Sequence, residues 1–131
     1  MQGTVKWFNN SKGFGFLTTD DGRDFFFHHT DIKMDGFRSL DSEDIVDFEI
    51  GTDKDGREKA VNVQPVITRK MVEESLYIEG LDVKTIKDAN KNNLYVVVKD
   101  NVIQTSEQGM SLIELAAYAG FDVEELTKED K

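Results

Sequence analysis

The chain has 131 residues, is 38% hydrophobic and carries a single proline, which suits one ordinary folded domain or two small ones and not a disordered chain. Its formal net charge of -10 sets phosphates at an average disadvantage, and the lack of cysteine excludes disulfides, thiolate metal sites and cysteine nucleophiles. A cysteine-free chain with no apolar signal run, and with no apolar stretch near the roughly 18 residues that cross a bilayer, is expected to be soluble, cytoplasmic and free of membranes.

Residues 4–9, Thr-Val-Lys-Trp-Phe-Asn, read as a strand in which an ideal pleat sets Val5 and Trp7 on one face and Lys6 and Phe8 on the other. Asn9-Asn10-Ser11 supplies turn chemistry, and the run from Lys12 to Leu17 follows as a second strand. Asp20-Asp21-Gly22-Arg23 is a hairpin signal leading into Asp24-Phe25-Phe26-Phe27-His28-His29. Alternation sets Phe14 and Phe16 on one face of their strand, and Phe26 and His28 on one face of theirs. Phe25, Phe27 and His29 take the opposite side. Only one side of a small sheet can be core, so a row of rings is left facing water. Bases are flat, and stacking one on an aromatic side chain is worth about 1–3 kcal/mol. The pattern predicts a stacking platform for unpaired nucleic acid.

Residues 45–50 read as a fourth strand, with Val46, Phe48 and Ile50 on one face, and Asp53-Lys54-Asp55-Gly56 as a turn. That turn resembles a calcium loop, but its glycine falls at the fourth place and no glutamate closes it. Residues 60–64 alternate as a fifth strand. Five short strands separated by turn signals predict a small all-β barrel, with a boundary near Val66, just past the only proline. Nine of the thirteen aromatic residues precede that boundary, more than a core of this size requires. Split there, each part holds 8 basic and 13 acidic residues, so neither is a basic domain and phosphate contact must rest on local cations.

Residues 67–131 predict a small α+β domain. Leu76-Tyr77-Ile78 and residues 94–98 read as strands, and Lys99-Asp100-Asn101 turns into residues 102–105 as a hairpin. Ser111 and Glu114 have the capping-box spacing of a helix running to Ala119 and ending at Gly120, and Asp122 and Glu125 repeat it for a short last helix. The spacing of Leu115, Ala119, Gly120, Val123 and Leu126 is that of a helix-turn-helix. The second helix would be acidic where a reading helix must approach phosphates, so two short helices packed on the hairpin is the preferred reading.

The motifs of the first half agree with one family in order and spacing. Gly3-Thr4-Val5-Lys6-Trp7-Phe8-Asn9, Lys12-Gly13-Phe14-Gly15-Phe16-Leu17, Phe26-Phe27-His28-His29 and Gly36-Phe37-Arg38-Ser39-Leu40 resemble a cold-shock domain over residues 1–66. The resemblance implies a five-stranded OB-type barrel that binds single-stranded RNA or DNA and acts as an RNA chaperone by base stacking, in transcription or translation. It places the binding face on Lys6, Trp7, Phe8, Asn9, Lys12, Phe14, Phe16, Phe26 and His28, with Asp24, Phe37 and Arg38 at its flanks. His29 stands where the family usually has an aromatic ring, and it joins the candidate set as a residue type that changes charge near neutral pH. Phe25 and Phe27 stand where the family usually has valines, and Ser42-Glu43-Asp44 replaces its usual turn. No nucleophile–base arrangement, metal site or cofactor site is read from the sequence; His28 and His29, adjacent on one strand, would point to opposite faces. Residues 67–131 resemble no recognised family. The alternative reading makes this acidic half a protein-interaction or homodimerisation module, or a mask over the ring platform.

Overall fold

The computed structural model describes residues 1–34 and 39–127, which fall into two compact units, Met1–Thr68 together with Thr127, and Arg69–Leu126. Five strands build the first: β1 (Gln2–Asn9), β2 (Phe14–Thr18), β3 (Asp24–His28), β4 (Ile45–Thr52) and β5 (Glu58–Ile67). They form one antiparallel sheet in the order β3-β2-β1-β4-β5. The hairpin between β2 and β3 closes where Thr19 and Gly22 share a backbone bond and Thr19 N–H donates to Arg23 O at 2.9 Å. Between β4 and β5 the Asp53 carboxylate caps its own turn, accepting the backbone N–H groups of Asp55 and Arg57 at 2.9 and 3.0 Å. Those bonds hold its carboxyl below the usual carboxylate range, the Arg57 N–H most of all. The aspartate therefore serves the turn.

Cross-strand register decides which side each ring takes. Leu17 faces Phe25 and Gly15 faces Phe27, and on this side Leu17, Phe25 and Phe27 are buried with Val5, Val46 and Phe48. The two bulky phenylalanines pack inside: Phe25 lies 5.4 Å from the Phe48 ring, and the Arg23 guanidinium caps Phe25 at 5.4 Å. On β4, Val46 and Phe48 are buried as the alternation predicts, but Ile50 is exposed. The irregular pairing of β4 with β5 interrupts the pleat between Asp47 and Glu49, which breaks the period-two pattern before Ile50. Past β3 a 3-10 turn, His29–Asp31, carries Asp31 into an ion pair with Lys59 of β5 at 2.7 Å, and Ile32 bridges in parallel to Val63.

The second unit contains α1 (Arg69–Ile78), β6 (Asp82–Lys87), β7 (Asn93–Lys99), β8 (Val102–Ile103), α2 (Leu112–Tyr118) and α3 (Val123–Leu126), with the strands in the order β6-β7-β8. The expected hairpin is β7–β8, and the expected capping box opens α2: the Ser111 hydroxyl accepts from Glu114 N–H while the Glu114 carboxylate accepts from Ser111 N–H. Asp122 caps α3 by accepting from Glu125 N–H at 3.2 Å. One expectation fails. Leu76-Tyr77-Ile78 is the last turn of α1, not a strand. Its three apolar residues look strand-like alone, but Leu76 belongs with Val72, one helical turn earlier, and these two are the buried residues of α1. Strand β6 was not expected, because only Val83 and Ile86 of its six residues are even partly buried apolar groups. Central β7 is buried throughout Tyr95–Val98. Among the described residues, no helix is long and apolar enough to cross a membrane.

Candidate nucleic-acid interface

The platform starts from a flaw in β1. Val5 pairs with Leu17, but Trp7 pairs with Phe16, so two steps on β1 match one on β2 and the register shifts around Lys6. That bulge corrects the ideal pleat. Val5 stays buried, whereas Trp7 turns to the outer face and is 39% exposed. Gly15 permits the strands to approach there: a Cβ on it would collide with the Trp7 carbonyl oxygen and stand 2.9 Å from Phe8 Cα. With no side chain at Gly15, β1 lies close on β2 and delivers the indole between Phe14 and Phe16.

Four rings then form one surface. The Trp7 ring lies 5.6 Å from Phe14 and 5.4 Å from Phe16, and Phe26 lies 5.7 Å from both of these phenylalanines. Phe14, Phe16, Phe26 and His28 are half-buried, each resting on its neighbours with part of the ring in solvent. Register explains the grouping, since Phe16 sits opposite Phe26, and Phe14 opposite His28. Alternation along β2 and β3 therefore placed these residues correctly.

Phe8 goes the other way. Its ring stacks on buried Phe27 at 5.6 Å and an interplanar angle of 15°, packed against the core. The bulge that turns Trp7 outward turns Phe8 inward, so Phe8 supports the platform from beneath. His29 also departs from expectation. β3 ends at His28, and in the 3-10 turn His29 is free of the pleat, so the two imidazoles lie together at 4.2 Å and do not face apart. Phe37 and Arg38 lie outside the described residues.

One cation on this face is paired from within. Exposed Lys6 reaches across β2 to Asp24, with Nζ 3.1 Å from the carboxylate. A hydrogen bond from Thr18, ahead of that from Lys6, holds the Asp24 carboxyl below the usual carboxylate range. Lys12 is exposed, and its backbone N–H donates to the Asn9 side-chain oxygen at 2.9 Å. That bond engages the side-chain oxygen of Asn9 in the turn, so the other end of its amide, the NH2, is a donor.

Residues 1–66 match the family model described as the 'Cold-shock' DNA-binding domain, a span that includes every candidate site residue. The chain belongs to the cold-shock domain family. Its cold-shock domain is similar to Glycine-rich protein 2 of Nicotiana sylvestris, 54% identical over 63 residues that make up 47% of this chain and 29% of the plant protein. It is similar to the Cold shock-like protein of Thermotoga maritima, 47% identical over 60 residues (46% of this chain, 91% of that protein). It is 49% identical over 63 residues to the Cold shock protein CspC of Bacillus subtilis, covering 48% of this chain and 94% of that one. The match thus spans under a third of the plant relative and most of each bacterial one. Residues 67–131 lie beyond the family match.

One residue of the cold-shock domain escaped the sequence analysis. The Thr30 backbone N–H donates to His28 Nδ1 at 3.3 Å, and the Thr30 hydroxyl lies 2.9 Å from the same nitrogen. A backbone N–H can only donate, so Nδ1 is the unprotonated nitrogen and the neutral ring carries its hydrogen on Nε2. His28 thus offers Nε2–H as a donor. The only signal was a threonine two residues beyond a histidine at a strand end, a local side-chain-to-backbone pattern with no fixed meaning in sequence.

Proposed function

We propose that the cold-shock domain binds single-stranded RNA or DNA, with Trp7, Phe14, Phe16 and Phe26 stacking bases and the His28 Nε2–H and Asn9 NH2 groups donating to base edges. The observation that carries this reading is the four-ring surface on the outer face of a sheet whose inner face already holds a complete aromatic core. Lys12, Lys6 and Arg38 supply phosphate-facing charge, Lys6 by exchanging Asp24 for a phosphate. His29 extends the platform beside His28, and the family resemblance assigns Phe37 to base contact as well. The Ile32–Val63 bridge and the Lys59–Asp31 pair support closure of the sheet as an OB-type barrel.

Stacking without chemistry makes this an RNA chaperone, which holds transcripts unpaired during transcription or translation in the cytoplasm. A fluorophore–quencher RNA hairpin tests it directly. The full chain opens the hairpin without any nucleotide cofactor, and the Phe14→Ala/Phe26→Ala variant does not. Failure of the native chain to open it, in conditions where it binds the same RNA unfolded, removes the chaperone role and leaves binding alone.

A further inference from the structure

The second unit carries an apolar groove of about 540 Å³ between the last turn of α1 and the start of β6. Two features of the chain create it. Val72 and Leu76 use the inner side of α1, so Tyr77 and Ile78, one and two residues further round the helix, point away from it. They are 73% and 86% exposed, the most exposed large apolar side chains of the described residues. Then the chain reverses. Gly80 adopts φ +81°, its N–H donates to Tyr77 O at 2.9 Å, and Leu81 N–H donates to Leu76 O at 3.0 Å. This pair of bonds is a Schellman motif, and it folds Leu81 and Val83 back beside Tyr77 and Ile78.

The rim of the groove is acidic. Glu73, Glu74 and Asp82 line it. Arg69 takes part of the Glu73 charge at 3.7 Å, but Glu74 and Asp82 make no ion pair among the described residues. An aromatic and aliphatic lining beside three carboxylates disfavours phosphates, and a chain of net charge -10 is repelled by its own copy. The complementary occupant is an apolar side chain flanked by lysine or arginine. We propose that this groove docks a cationic, apolar-anchored segment of another protein, which gives the acidic half a recruiting role independent of the ring platform.

The probe is a fluorescein-labelled peptide of alternating Leu and Lys, titrated by anisotropy against the full chain, with Glu/Leu and Lys/Ser peptides as controls. The proposal expects saturable binding of the Leu/Lys peptide alone. Tyr77→Ser/Ile78→Ser and Glu74→Lys/Asp82→Lys should each weaken it about tenfold, while Asp20→Lys in the first unit leaves it unchanged. Tyr77, Ile78, Glu74 and Asp82 are exposed, so these variants should fold, which circular dichroism verifies. The proposal is overturned if the peptide does not bind, if Lys/Ser binds equally well, or if Asp20→Lys weakens binding as much as the groove variants do. It is also overturned if sedimentation shows a dimer that Ile78→Ser dissolves, because the occupant would then be a second copy.

Discussion

Phe26 and Phe27 are adjacent in β3 and have opposite surroundings, so removing each ring separates binding from stability. Phe27 is fully buried under Phe8, and Phe27→Ala should destabilise the domain by about 3–5 kcal/mol in equilibrium denaturation. Phe26 is half-buried among Phe14 and Phe16, and Phe26→Ala or Phe14→Ala should instead weaken single-strand binding about 5- to 150-fold, the equivalent of one lost stack. Equal losses of stability in the two variants would place both rings in the core. Asp24 allows a second test. Its lowered pKa means that any stability it contributes is present above the ordinary carboxylate range and is lost only as pH falls through the depressed value. The Lys6–Asp24 pair therefore persists from neutral pH into mild acid. Lys6→Ala removes the cation that exchanges Asp24 for phosphate, and the slope of log K against log salt should flatten by about 0.7 in titrations at several salt concentrations. An unchanged slope would mean that Lys6 does not meet phosphate.

At the scale of elements, what could be read from sequence depended on whether a local rule had a competitor. The β2–β3 and β4–β5 hairpins carry Asp-Gly turns with nothing to oppose them, and α2 opens on a capping box. Those elements were legible. Trp7 was not placed by alternation, because a bulge is a two-strand property and β1 alone gives no sign of it. The 3-10 turn misled in the same way at His29, where the strand stops one residue sooner than its aromatic run suggests. Leu76-Tyr77-Ile78 shows a third failure. Its side chains alone are strand-like, and the residue that ends the helix, Gly80, lies two positions beyond them. That glycine is open to test, since Gly80→Ala places a Cβ at positive φ and should cost about 1–2 kcal/mol. Faster hydrogen exchange confined to the amides of α1 and β6 is the expected readout. Unaltered exchange there would show that the Schellman turn does not hold the groove together.

For the whole molecule, acidity and binding have to be reconciled. Lys6 and Lys12, with Arg38, are few cations for a chain of net charge -10, so the proposed platform relies on stacking for most of its affinity. Binding should then depend on salt far less than in a basic nucleic-acid protein, and it should require exposed base faces. Trp7 reports this directly, being the only tryptophan and part of the ring surface. The decisive measurement is the quenching of its fluorescence in the full chain by a short pyrimidine-rich strand, compared with the same strand annealed to its complement. Saturable quenching by the single strand and little by the duplex is the predicted result. No quenching, or equal quenching by both forms, would contradict a platform that works by stacking unpaired bases.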